Sequence, residues 1–197
     1  MNEFEMSDYI DGAREMVFMA MDEHGILCED GHWMTEEELY ALPDEEVLRE
    51  LCNLARLSSS AANRQTLKFR LVTSKNECEK VFSNVAWAGY IKDGAPKDGE
   101  KPTAYIIVLN DNSIFKNNAI DTGIVSEVIL LGASEKELGG CMIACFKAEP
   151  LKEALSIPDH LEPELVIALG KPVETVVIED MKDNDVKYWR DDDKVHH

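Results

Sequence analysis

No run of apolar residues in this 197-residue chain approaches the ~18 that a membrane-spanning helix needs. The opening stretch MNEFEMSDYI is acidic and lacks the basic and apolar blocks of a signal or transit peptide. A cytoplasmic protein is the expectation, with no membrane partner. Cysteine is sparse: five residues, at 28, 52, 78, 141 and 145, are too few and too scattered for a disulfide framework. Internal repeats, low-complexity tracts and linkers are missing too, so one domain over residues 1–197 is expected. The most informative lack is of positive charge. Between Arg14 and Arg49 there is no Lys or Arg, and residues 1–50 carry sixteen acidic side chains, a net of −14 out of −19 for the chain. Such a segment repels nucleic acid and anionic membranes. Residues 51–100 are the reverse, with eight basic side chains against five acidic ones. That part could accept a small anion.

What is present is the 45% apolar share of an ordinary globular core. DYIDGAREMVFMAMDEHG reads as a first helix, stopped by Gly25, and GILCEDGHWM, 25–34, as a loop. Thr35 and Glu38 form a capping box for a short helical turn. Pro43 is expected at the first position of the next helix, with acids in its opening turn and Val47, Leu48, Leu51, Leu54 and Ala55 on one face. LKFRLVTS alternates like a half-buried strand, KNECEKVFSNV reads as a helix, and 92–102 reads as an exposed loop. TAYIIVLND is continuously apolar and belongs in the middle of a sheet. Residues 118–138 form a long helix, apolar nearly all round, ended by Gly139 and Gly140. GCMIACF is a strand, EPLKEALSI a short helix and ELVIALG a buried strand. On a strand Cys141 and Cys145 stand about 13 Å apart, beyond the ~7 Å a disulfide tolerates. The order of elements predicts an α+β or mixed α/β fold.

SSSAANRQ, 58–65, lies between a helix and a strand. Small side chains there let backbone approach a flat ligand, and Asn and Gln offer donors and acceptors on short stems. The same residues also suit simple capping of a short helix. A second candidate, His24, Cys28 and His32 with Glu29 and Asp30, has zinc-type ligands. Gly25 and Gly31 break the helix that would align them, so a surface loop is preferred and no metal is assigned.

Four stretches in order, LARLSSSAANRQTLKF, AIDTGIVSEVILLGASEKELGG, CMIACF and LSIPDHLEPELVIALGKP, resemble the nitroreductase family of FMN-dependent oxidoreductases. The resemblance spans roughly residues 43–190 and leaves 1–42 as a divergent acidic segment. It implies a central mixed sheet flanked by helices, in a homodimer whose FMN site is shared between subunits. It implies hydride transfer from NAD(P)H, through flavin, to a nitroaromatic, quinone or similar small acceptor. It places Ser59, Ser60, Asn63 and Gln65 against the flavin, with Arg64 inside the same motif. Gly140, Ala144 and Cys145 fall where the family passes a strand end by the ring, and Lys92 is a candidate charge near it. No catalytic acid or nucleophile is implied, because the flavin carries the chemistry.

The chain departs from that pattern where the phosphate is usually held. The Arg-Arg-Ser run of the first helix is replaced by FMAMDEHGILCEDGHW, and residues 180–197 hold no Pro-Lys-Arg type of cluster. Ser59 and Thr66 stand for two prolines, and Cys145 for a glycine. Arg56, Arg64 or Lys68 are left to meet a phosphate. The alternative is a degenerate member with little flavin binding and a regulatory or binding role.

Overall fold

The computed structural model describes Ile26–Leu27, Trp33–Met34 and residues 43–197, apart from Asp93, Asp98, Asn117, Val173 and Lys194. The chain divides into two compact units, Met1–Leu42 and Pro43–His197. In the first, strands β1 (Ile26–Leu27) and β2 (Trp33–Met34) pair antiparallel. This corrects the reading of 25–34 as loop throughout. The predicted first helix, the Thr35–Glu38 capping box and the trio His24, Cys28 and His32 lie outside the described residues.

The second unit begins with α1, Glu45–Arg56. Its cap is Asp44, whose carboxylate accepts from Val47 N–H at 2.8 Å, so Pro43 stands just before the helix rather than at its first position. A short polar acceptor satisfies an orphan N–H better than proline can. Leu48, Leu51 and Ala55 form its buried face. Strand β3 (Leu67–Val72) leads to α2 (Lys75–Phe82), capped by Ser74. Then come β4 (Ala104–Asp111), α3 (Ala119–Glu135), β5 (Gly139–Ile143), α4 (Ala148–Leu155) and β6 (Leu161–Gly170).

The sheet order is β3-β4-β6-β5, and each of its three pairings is antiparallel. The α+β class therefore holds, but the four described strands make an antiparallel sheet rather than a mixed one. Helices cover both faces. Ala104, Ile106 and Val108 pack toward α1 and α3, while Tyr105, Ile107 and Leu109 pack toward α2 and α4. Two-sided burial is why β4 reads as an unbroken apolar run. The register shifts between Val108 and Leu109, where Pro163 of β6 faces Leu109. A bulge is one of the few places a central strand tolerates a residue without an N–H.

Helix α3 is shorter at its C-terminal end than expected. Glu137 adopts a left-handed backbone (φ 59°), and Leu138 N–H turns back to the Ala133 carbonyl at 2.9 Å. This closure satisfies the last carbonyls before Gly139 is reached. Gly139 and Gly140 belong to β5 instead, and Cys145 lies beyond the end of that strand. The 13 Å spacing argument for Cys141 and Cys145 thus does not apply, although both thiols are free. No helix among the described residues is long and apolar enough to cross a membrane.

Candidate functional site

Helix α1 stops at Leu57, and the chain turns sharply through SSSAANRQT before entering β3. Ser58 caps the helix end, donating from both its N–H and its hydroxyl to the Ala55 carbonyl. A single 3₁₀ turn follows at Ala61–Asn63. Ala62, Asn63 and Gln65 all have φ near +50°. For residues other than glycine that conformation costs about 1–2 kcal/mol each, so something must hold it.

The first turn of α3 does. Asp121 is 2% exposed. Its carboxylate accepts from the Ser60 hydroxyl at 2.7 Å and from the Ala61 N–H at 3.0 Å to each oxygen. Ser60 in turn accepts from the Gln65 N–H at 3.0 Å. At the other end of the loop, Asn118 donates to the hydroxyl of fully buried Thr66, and the Thr66 carbonyl accepts from Asp111 N–H at 2.9 Å. Ser60 does occupy the N-cap position of the 3₁₀ turn, but its side chain makes no cap hydrogen bond. Its proton goes to Asp121 instead. Sequence reasoning missed Asp121 and Asn118, since their partners lie about 50–60 residues upstream. The available signal was a carboxylate opening an otherwise apolar helix.

Beside this loop is a cavity of about 170 Å³, lined by Arg56, Ser58, Ser59, Ser60, Gln65, Lys68 and Asp121 among others. It shares Arg56, Leu67, Lys68 and Phe69 with a wider cavity of about 820 Å³ between α1 and the edge strand β3. Four cations line this trough. Arg49 pairs with Glu45 and Arg70 with Glu77 at 2.5 Å. Arg56 donates to Asn53 at 2.7 Å. Among the described residues neither Arg56 nor Lys68 has an ion pair. These two cations suit a phosphate-sized anion, whereas the Ser58 and Ser60 hydroxyl protons are already committed to the Ala55 carbonyl and to Asp121.

The predicted site residues divide accordingly. Ser59, Ser60 and Gln65 line the small cavity. Asn63 is exposed and accepts from the Gln65 amide at 2.7 Å. Arg64 stacks over the Phe115 ring at 4.0 Å, outside the cavity. Lys92 is exposed on its loop. Gly140 belongs to β5 at the far edge of the sheet, Ala144 and Cys145 follow just beyond the end of that strand, and the Cys145 carbonyl accepts from Ala86 N–H at 2.9 Å. Three strand spacings, about 14 Å, separate the two edges. The smallness of Gly140 has a cause within its own chain. A Cβ there would meet Leu130 Cδ2 at 2.4 Å and Leu169 Cδ2 at 3.0 Å.

The thiols differ in burial. Burial pushes Cys52, on the wall of the wider cavity, up to about 12, and Cys78 up to about 11. The thiolate is the nucleophile. Iodoacetamide at pH 8 is therefore expected to modify exposed Cys145 at least tenfold faster than Cys52 or Cys78 in the folded protein. Peptide mass spectrometry reads the rates, and equal rates would contradict this burial.

The sequence profile of the nitroreductase family matches residues 40–171. A protein of Methanothermobacter thermautotrophicus, provisionally named an NADH dehydrogenase/NAD(P)H nitroreductase, is 29% identical over 148 residues, which is 72% of this chain and 73% of that one. A nitroreductase family protein of Streptococcus pneumoniae TIGR4 superposes with a TM-score of 0.58 at 18% identity, covering 86% of this chain and 96% of the other. An FMN-dependent nitroreductase of Clostridium difficile R20291 superposes with a TM-score of 0.52 at 21% identity, covering 76% and 83%. With that profile spanning the helix–loop–strand unit at 45–72 and every strand of the sheet, the chain belongs to the nitroreductase family.

Proposed function

We propose that this protein is an FMN-dependent oxidoreductase that takes reducing equivalents from NAD(P)H and delivers them to a small nitroaromatic, quinone or similar acceptor. The observation that carries the reading is the pair Arg56 and Lys68, neither in an ion pair among the described residues, lining the same cavity as Ser58–Ser60. Bound FMN would supply the chemistry, accepting hydride from the nicotinamide and passing electrons on. The protein's own part is binding and orientation. Arg56 and Lys68 hold the phosphate in place of the missing N-terminal arginines, and the clamped loop presents its small side chains to the rest of the cofactor.

The volume beside the serines is below that of a typical ligand site of about 300–1,000 Å³, and the residues at 140–145 stand on the opposite edge. A second copy of the chain, bringing its far edge to this loop, completes the site. Helix α3 supports such a homodimer: Ile120 is 79% and Leu131 63% exposed on a helix that also sends Val125, Ile129 and Ala133 into the core. Exposed apolar surface of this kind marks interfaces.

Titrating apoprotein with FMN tests the assignment. Arg56→Ala and Lys68→Ala are each expected to weaken binding roughly tenfold, one charge-assisted bond's worth. The loss should grow at low salt, where the charges are least screened. NADH and NADPH oxidation with added nitroaromatic or quinone completes the test. A parent protein that binds no FMN at any salt and oxidises neither nucleotide would overturn the reading in favour of a cofactor-free family member.

A further inference from the structure

A serine hydroxyl has one proton to give and two lone pairs to offer. In Ser60 the proton is committed to the buried Asp121 Oδ2, and one lone pair is taken by the Gln65 N–H. One lone pair remains. The Ala61 N–H is also spent, shared between both Asp121 oxygens. Asp121 makes no ion pair among the described residues, so its charge rests on these hydrogen bonds. On the same helical turn, Asn118 grips Thr66 at the loop's far end.

We propose that Asp121 is a positioning residue for the cofactor: through Ser60 and Ala61 it fixes the 60–65 backbone and turns the Ser60 proton inward, so that Ser60 offers a bound flavin an acceptor and not a donor. This rests on the flavin reading above. Phosphate oxygens only accept, so Ser60 cannot serve them and they fall to Arg56 and Lys68. Ser60 instead suits a donor on the phosphate-free part of the cofactor, a ribityl hydroxyl or a ring N–H. An Asn at 121 would keep the shape but present an amide donor to Ser60, releasing the Ser60 proton outward.

The test titrates apoprotein with FMN and with riboflavin, which has no phosphate. Parent, Asp121→Asn, Ser60→Ala and the double variant are compared. Asp121→Asn is expected to weaken both ligands by roughly tenfold or more, leaving the FMN-to-riboflavin ratio near the parent value. Arg56→Ala should collapse that ratio instead. Ser60→Ala should weaken both ligands as well, and the double variant should be little worse than Asp121→Asn, because both changes break one unit. Amide exchange should quicken at Ala61 and Gln65 in Asp121→Asn and stay unchanged in β4. A folded Asp121→Asn protein that binds both flavins within twofold of the parent overturns the proposal, as does full additivity with Ser60→Ala. If Asp121→Asn does not fold, unchanged flavin affinity in Ser60→Ala overturns it equally. A parent that binds neither flavin defeats the flavin reading itself. Unaltered exchange at Ala61 and Gln65 in Asp121→Asn defeats the positioning claim on its own, whatever the parent binds.

Discussion

Replacing Leu51 by Ala is expected to destabilise the Pro43–His197 unit by about 2–5 kcal/mol, and adding Gly132→Ala is expected to recover part of that loss. Leu51 is fully buried where α1 crosses α3. At Gly132 of α3 a Cβ would stand 2.9 Å from Leu51 Cδ2 and 2.9 Å from Leu54 Cδ1. Leu54 is 45% exposed and can swing away, whereas Leu51 has nowhere to go. Gly132→Ala alone therefore sets a gain in helix propensity of about 1 kcal/mol against overpacking of about 1–3 kcal/mol. The net result is neutral to destabilising. With Leu51 cut back to Ala the obstruction is gone, the new methyl fills part of the cavity, and the same change becomes stabilising by about 1 kcal/mol. Urea denaturation of the four proteins measures the coupling. Equal effects of Gly132→Ala in both backgrounds would show that the helices do not meet at these residues.

That contact illustrates which parts of the fold can be read from sequence. The face of α1 follows from Leu48, Leu51 and Ala55 at helical spacing, and β4 from an apolar run with no polar interruption. Both signals are local. Strand direction is not. Helices on both faces bury β4 and β6 on both sides, giving the continuous apolar runs usual in parallel strands, so the pattern hides an antiparallel sheet. Two boundaries moved for the same kind of reason. Asp44 displaced Pro43 as the start of α1 because its carboxylate reaches Val47 N–H. Glu137 closed α3 in a conformation that usually calls for glycine, with true glycines two residues further on. At the site, the motif SSSAANRQ announces close backbone approach, and its serines and Gln65 do line a cavity. Its shape, however, is set by Asp121, and Arg64 stacks on Phe115 outside the cavity that Arg56 and Lys68 line. Those facts concern residues far apart in the chain, and no window of sequence contains them.

The largest functional effect is expected from mixing two inactive proteins. Carry Arg56→Ala and Lys68→Ala together in one chain, which removes the phosphate anchors beside the 58–65 loop. Carry Ala144→Trp in another, which places bulk just beyond β5. Ala144 and Cys145 are exposed, so that substitution leaves the core alone. If the FMN site is built from the loop of one subunit and the far edge of its partner, each variant has two broken sites per dimer and retains almost no FMN. In a mixed dimer the two faults fall in the same site, and the other site is intact. Closed two-fold symmetry makes half of a random mixture hetero-dimeric, so about a quarter of all sites recover. Retained flavin absorbance after co-refolding reads this fraction, and NAD(P)H oxidation should recover with it. A site contained in one chain predicts no recovery, because every chain in the mixture keeps its own fault. Ile120→Asp in both chains should abolish the recovery too, by placing charge in the apolar surface of α3 that a second copy would cover. Recovery that survives this change would put the interface elsewhere, and no recovery without it would return the site to a single subunit.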